Sequence, residues 1–391
     1  MMNLKTIKPL DNDYLQSIGF SWHTDPDNTP YIADELVEVS SDECEAYYDA
    51  ANELYDMFVA AAQYVIDNDL FHELGIPFNL IDTIKQSWEN EVHWHLYGRF
   101  DFAGGTGGKP IKLIEFNADT PTSVFETAII QWAMLKFNSL DEGKQFNDLY
   151  DGLVENFKRL VTLDEDTSSF DEHYEGWKIL FSCISGSDED ESTTRLLQSA
   201  ANDAGFETNF CYVNDVSFDD ENGIFYDGQN YEYWFKLIPW ESIAIEEGEL
   251  ALILKNIINN QKAIVLNPAY TLLFQSKGIM KILWDLYPNH PLLLESSYEP
   301  LSGKKQVKKP FLAREGANVT LLDNDGNIIK ENGGSYGNGK FLYQEFAEFD
   351  KSGDESYQAG VFFAFEGCAL GFRKGGDIID NYSKFVGHII K

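Results

Sequence analysis

Basic side chains are scarce in this chain. Its 29 lysines and arginines face 65 aspartates and glutamates, leaving a formal net charge of -36. That balance repels nucleic acid and anionic lipid over most of the surface and excludes a general polyanion-binding role. It serves solubility first, and supports a cationic substrate only where other features call for one. Cysteine is also sparse. Cys44, Cys183, Cys211 and Cys368 form no C-x-x-C pair, which excludes a zinc ribbon or a dithiol redox site and leaves buried free thiols in a reducing compartment as the expectation. No apolar run approaches the roughly 18 residues a membrane span requires. The first residues, Met-Met-Asn-Leu-Lys, soon meet Asp11 and Asp13, so no signal peptide is read and a cytoplasmic location is expected.

What is present is core-forming material. With 43% apolar and 14% aromatic residues, 391 residues can bury a large core, in one compound domain or two to three subdomains. Tyr47, Ala50, Leu54, Phe58, Ala61 and Tyr64 recur every three or four positions and predict one long helix from Asp42 to about Asn68. From His93 the period changes to two. His93, His95, Tyr97, Arg99 and Asp101 then share one face of a predicted strand, with Trp94, Leu96, Phe100 and Phe102 mostly opposite.

Gly104-Gly-Thr-Gly-Gly-Lys-Pro110 follows that strand. It is no P-loop: Ala103 stands where the first glycine belongs, and Pro110 where a serine or threonine would hold magnesium. A hairpin connection to a second strand, 111–117, fits its turn chemistry better. Antiparallel pairing would set Arg99 and Asp101 on the same face as Glu115 and Asn117. Two carboxylates and an amide oxygen are hard ligands suited to magnesium, and Arg99 suits a phosphate or an oxyanion; a solvent-facing polar edge accounts equally well for the spacing. Ser123 and Glu126 have the spacing of a capping box for a helix buried through Phe125, Ala128, Ile129, Trp132 and Leu135, whose free N–H groups would favour an anion.

Further on, 177–184 reads as a strand, 192–204 as a helix and 208–213 as a strand, a β-α-β pattern typical of a doubly wound subdomain. Ser187-Asp-Glu-Asp-Glu191 lies between the first strand and the helix, either as a ligand site at the strand's carboxyl end or as a solvated acidic helix start. Lys304, Lys305, Lys308, Lys309 and Arg314 form a basic cluster that suits ATP. Gly333–Gly339 is a phosphate lid or a plain hairpin loop before a strand at 340–346, and hairpin-rich sheet is predicted over 357–366 and 370–373.

The stretch Ile114-Glu-Phe-Asn-Ala-Asp-Thr-Pro-Thr-Ser123, preceded by Arg99-x-Asp101, resembles the signature of the glutathionylspermidine synthase family. The resemblance continues at Lys236-Leu-Ile-Pro-Trp240-Glu241, Ser276-Lys277, Lys309-Pro-Phe-Leu-Ala-Arg-Glu-Gly-Ala-Asn318 and Asn381-x-Ser383-x-Phe385. It implies an ATP-grasp-like fold of the α+β and α/β classes, a two-lobed ATP site joined to a doubly wound pre-ATP-grasp subdomain. Within a single synthetase domain, 1–170 would form a helical and metal-hairpin region, 171–260 an α/β substrate subdomain and 261–391 the lysine, lid and hinge region.

The implied activity is an acid–amine ligase using ATP as co-substrate and two Mg²⁺ ions. Asp101, Glu115 and Asn117 would hold metal, and Arg99 would be catalytic. Arg99, Asp101, Lys277, Lys309, Glu315, Gln344, Glu345, Ala347, Gln358 and Arg373 would contact ATP. Thr120 would touch the carboxylate substrate, peptide or glutathione-like, and Glu189 a polyamine-like amine. The chain departs from the family at Asn267-Pro-Ala-Tyr-Thr271 and at Gly387, which bears on specificity, and the amidase activity of bifunctional members is not expected on the same polypeptide. A ligase with another carboxylate and amine, and a non-catalytic nucleotide-binding regulator, are the competing readings.

Overall fold

The computed structural model describes residues 2–314, 316–336, 339–380 and 382–391. Its main element is an eight-stranded, mostly antiparallel sheet. Seven strands run in the order Asn3–Thr6, Ile32–Val39, Lys384–Ile390, Glu366–Gly375, Glu355–Ala364, Gly98–Ala103 and Lys112–Asn117, and Asp350–Ser352 pairs with Glu355–Ala364. The helix Ser41–Asp67 lies against this sheet through Tyr47, Ala50, Leu54, Phe58 and Ala61, the stripe its spacing predicts except for Tyr64, which is exposed. Its start is set by a capping box: Ser40 accepts from the Glu43 N–H, and the Glu43 carboxylate accepts from the Ser40 N–H.

A second sheet is wholly parallel, in the order Ile264–Leu266, Tyr233–Lys236, Lys178–Cys183 and Glu207–Tyr212. The helix Asp188–Asp203 makes the crossover between its last two strands, as the β-α-β pattern requires. A third, antiparallel sheet of five strands runs Ser296–Ser297, Phe341–Glu345, Gln306–Pro310, Thr320–Leu322 and Ile328–Glu331. The result is a mixed α/β fold with several sheets. All four cysteines are free and buried, and among the described residues no helix is long and apolar enough to cross a membrane.

Two local expectations are overturned. The strand predicted from His93 begins at Gly98. Residues 96 and 97 have their N–H groups held by the Asn267 side-chain oxygen, at 2.8 and 3.4 Å, instead of by a neighbouring strand. The Ser123–Glu126 capping box does not form. Ser123 has φ +66°, and the Glu126 carboxylate faces inward to accept from Trp22 Nε1 at 3.2 Å and the Tyr31 hydroxyl at 3.1 Å. The helical segment starts at Val124 without that cap and passes through a widened turn, Glu126–Ile130, continued by Gln131–Phe137. Its fully buried face is Ile130, Ala133, Met134 and Leu135, while Phe125, Ile129 and Trp132 are half-buried.

Candidate active site

The hairpin forms with the register that puts its polar residues together: Arg99 pairs with Asn117 and Asp101 with Glu115. The Gly104–Pro110 connection is a turn, closed by N–H bonds from Gly105 to the Lys109 carbonyl and from Lys109 to the Thr106 carbonyl. Arg99 grips Asp101 with two bonds, Nε to Oδ1 at 2.6 Å and Nη2 to Oδ2 at 3.0 Å, and gives its third to the Thr122 carbonyl at 2.8 Å. Such a fork fixes both side chains in one plane. Burial acts to strip the guanidinium of its proton, but Asp101 outweighs it and the pKa rises.

Two lysines from distant segments close on the same hairpin. Lys277, after the helix Thr271–Gln275, lies with Nζ 3.0 Å from Glu115 Oε2 and 2.7 Å from the Ala313 carbonyl. Lys309, on the strand Gln306–Pro310, donates to the Ile114 carbonyl at 3.1 Å. Burial works to raise the Glu115 pKa, yet Lys277 and then Lys309 outweigh it and hold the carboxyl down at about 2. Burial and the neighbouring Lys277 lower Lys309 to about 8, against the pull of Glu115. Lys309 is thus charged at neutral pH but desolvated, a state in which an arriving polyanion is bound strongly.

These groups line a cleft of about 750 Å³, open to solvent, between the five-stranded sheet and the hairpin end of the large sheet. Glu115, Lys277, Lys309, Gln344, Glu345, Ala347 and Gln358 face it, with Val307, Leu321, Phe349 and Ile379 as apolar walls. A smaller adjoining cavity is lined by Arg99, Asp101, Ser123, Thr127 and Arg373, and Gln358 lines both. Most of the residues singled out in the sequence therefore meet around two neighbouring spaces. Glu315 lies outside the described residues, as does Asn381 of the last motif.

The basic cluster does not act as a unit. Lys304 pairs with Glu295 and Glu345, Lys305 sits over the Phe346 ring and Lys308 over the Phe341 ring. Alternation along the strand sends Lys309 to the cleft and Lys308 to the opposite face, and of the five only Lys309 and Arg314 line the cleft. Glu189 lines neither cavity. It lies in the first turn of the helix that Ser187 caps, close enough to the buried Tyr31 hydroxyl for its charge to help hold that proton. Asn267, the departure noted above, is wholly buried and binds the carbonyls of Tyr97, Ala118 and Asp119.

A second set of charges was not read as a unit from the sequence, which counted Arg314 in the basic cluster alone. Beside Thr120, Asp119 accepts from Lys236 Nζ at 2.8 Å and from the Trp240 N–H at 2.8 Å. Arg314 donates to the Thr120 hydroxyl at 2.7 Å and holds Glu241 Oε1 with two further bonds, at 2.8 and 3.1 Å. Lys236, Trp240, Glu241 and Arg314 all fall in motifs of the family resemblance. That was the one signal available, since no local spacing pairs residues so far apart.

Magnesium can be tested against the donors. Among the described residues no three His, Cys, Asp or Glu side chains gather as a metal site. Mg²⁺ does not demand such a cage, because it usually binds one or two carboxylates together with phosphate oxygens and waters. A carboxylate offers about four lone-pair positions. Asp101 accepts bonds from Arg99 Nε, Arg99 Nη2 and Asn117 Nδ2, and Glu115 accepts one from Lys277, so both retain acceptor capacity and the set fits.

The chain matches, over residues 2–391, the family described as glutathionylspermidine synthase preATP-grasp. A Haemophilus influenzae protein provisionally named an acid–amine ligase is 31% identical over 395 residues, 96% of this chain and 95% of that one. The trypanothione synthetase of Crithidia fasciculata is 25% identical over 84% of this chain, and the bifunctional glutathionylspermidine synthetase/amidase of Escherichia coli is 24% identical over 86%. This chain spans about half the length of these two, 50% and 55%. Among solved structures, a glutathione synthetase-like effector of Globodera pallida in its apo form superposes with a TM-score of 0.57 at 9% identity, covering 97% of this chain and 95% of that one, a likeness of fold alone. The motifs at the site, the match along nearly the whole chain and the near full-length Haemophilus relative agree, and the chain belongs to the glutathionylspermidine synthase preATP-grasp family.

Proposed function

We propose that this protein is an ATP- and Mg²⁺-dependent acid–amine ligase that joins a peptide or glutathione-like carboxylate to a polyamine-like amine through an acyl phosphate. The observation that carries the proposal is the convergence of Lys277 and Lys309 on Glu115, in a cleft next to the Arg99–Asp101 fork. In a chain of net charge -36, two nearly buried lysines at one opening are a costly arrangement that a nucleotide's phosphates would offset. The names of the relatives supply the substrate classes.

In this reading ATP lies between two lobes, the five-stranded sheet and the hairpin end of the large sheet, as in an ATP-grasp. Gln344, Glu345 and Ala347 would flank the adenine, and Lys277 and Lys309 would meet the phosphates. Gln358 and Arg373 would extend the contacts toward the smaller cavity. Asp101, Glu115 and Asn117 would hold magnesium, as one ion or two, which when bound offsets phosphate charge and lowers the barrier to phosphoryl transfer.

Thr120, held by Arg314, would orient the substrate carboxylate for attack on the γ-phosphorus, releasing ADP. The amine, deprotonated, would attack the acyl carbon and expel phosphate. Arg99, its guanidinium fixed by Asp101, would stabilise the oxyanion that forms. Glu189 would meet the amine. No side-chain nucleophile is required, so rate enhancement would come from positioning and charge.

The test is ADP release by the purified protein from Mg-ATP across a matrix of carboxylates (glutathione, γ-glutamyl peptides, amino acids) and amines (spermidine, 1,4-diaminobutane, monoamines). Turnover that needs both partners is expected. ATP binding without turnover for any pair would overturn the ligase reading in favour of a nucleotide-binding regulator.

A further inference from the structure

Glu241 has two carboxylate oxygens in different circumstances. Oε1 accepts both bonds from Arg314, while Oε2 is buried and has no hydrogen-bond partner. The residue is 5% exposed, and it lines a cleft of about 1100 Å³, counted with its open mouth, that shares no lining residue with the nucleotide cleft. An ionised carboxylate only accepts, so whatever satisfies Oε2 must bring a donor, and an anion is excluded. Leaving such an oxygen unsatisfied is costly, which gives a donor-bearing ligand something to offset.

The remaining walls narrow the ligand's chemistry. Glu246 adds a second carboxylate, and Phe311, Leu312 and Tyr336 supply apolar and aromatic surface. Lys340 also lines the space, but its ammonium is bound to the His72 carbonyl and ring. Aromatic faces and carboxylates together suit a cation on an aliphatic stem. The location matters as well, since Arg314 links Glu241 directly to Thr120 in the substrate region.

We propose that this cleft is a subsite for a protonated aliphatic amino group, received by Glu241 Oε2 and carried by one of the two substrates. The proposal deepens the ligase reading and rests on it. The ammonium belongs either to the amine's far end or to the peptide's amino terminus. Both present the same chemistry to Glu241.

Glu241→Gln keeps an oxygen for Arg314 and replaces the second acceptor with a donor. Steady-state kinetics compare, in wild type and variant, glutathione with N-acetylglutathione and 1,4-diaminobutane with butylamine. In the wild type one of these pairs should differ at least about tenfold in kcat/KM, a difference carried by KM, and in the variant that ratio should fall toward one with KM for ATP unchanged. The pair whose ratio collapses names the source of the ammonium. Ratios identical in wild type and variant overturn the proposal while leaving the ligase standing.

Should no pair turn over, the ligase reading fails separately. Calorimetric titration of 1,4-diaminobutane and glutathione then tests the subsite alone, unchanged affinity in the variant refuting it. If Glu241→Gln does not fold, Glu246→Gln, on the exposed rim, carries the same comparison with an expected loss of about threefold in discrimination. No change there overturns the proposal as well.

Discussion

Lys236 and Asp119 form an ion pair 2.8 Å long in which neither side chain exposes any surface. Burial depresses the lysine pKa and raises that of the aspartate, so each shift records the cost of a charge held away from water. The pair persists because its other bonds are made, from Lys236 to the Ile238 carbonyl and from the Trp240 N–H to Asp119. Lys236→Met or Asp119→Asn alone should destabilise the protein by about 3–5 kcal/mol in urea unfolding. The double variant should lose clearly less than the sum, because no unpaired charge remains.

Asp101→Asn and Glu115→Gln preserve size and most hydrogen bonds but remove the negative charge. Each should lower magnesium-dependent ADP release by about 100-fold or more with the circular dichroism of the folded protein retained, while Asp101→Asn, which leaves the buried Arg99 without its counter-charge, should also lower the unfolding midpoint. Wild-type rates in both would refute the metal assignment.

Lys309 predicts a pH dependence of nucleotide binding. With a pKa of about 8 in the free protein, its ammonium is present below that pH and lost above it. Calorimetric affinity for ATP should be flat through neutrality and fall as pH rises past 8, by up to about tenfold per unit. Lys309→Arg should abolish the break, since its charge persists throughout the range.

His95 predicts acid sensitivity of the fold. Burial holds its pKa at about 4, its Nε2 donating to the Ala118 carbonyl at 2.9 Å. The unfolded chain takes up this proton near pH 6.5 and the folded one only near 4, so the stability it contributes is whole above 6.5 and lost as pH falls between those values. His95→Gln should reduce the fall in unfolding midpoint across that window by about 1–3 kcal/mol equivalent. A parallel profile in the variant would refute it.

The hairpin was readable because two alternating segments joined by a glycine-rich turn have one sensible register, and that register juxtaposes Asp101 with Glu115 and Arg99 with Asn117. Lys277 was reached only through the family resemblance, and Lys309, although part of the basic cluster, was distinguished from Lys304 and Lys308 only by it. The Asp119–Lys236 and Arg314–Glu241 pairs bridge 117 and 73 residues and exist only once separate sheets have docked. Errors arose where one pattern admits two structures. His93, His95 and Tyr97 alternate like a strand, but the Leu96 and Tyr97 N–H groups go to Asn267, and the Ser123–Glu126 spacing suits a cap until Trp22 and Tyr31 claim the carboxylate.

The order of strands in the large sheet has a consequence for biosynthesis. Lys384–Ile390 lies inside the sheet, parallel to Ile32–Val39 on one side and antiparallel to Glu366–Gly375 on the other. Among the described residues, the first two strands reach the rest of the sheet only through it. While the chain is still emerging from the ribosome, Ile32–Val39 therefore waits with an unpaired edge for a neighbour made more than three hundred residues later. Premature termination before residue 384 would leave that edge permanently open, and the fragment should be prone to self-association and proteolysis.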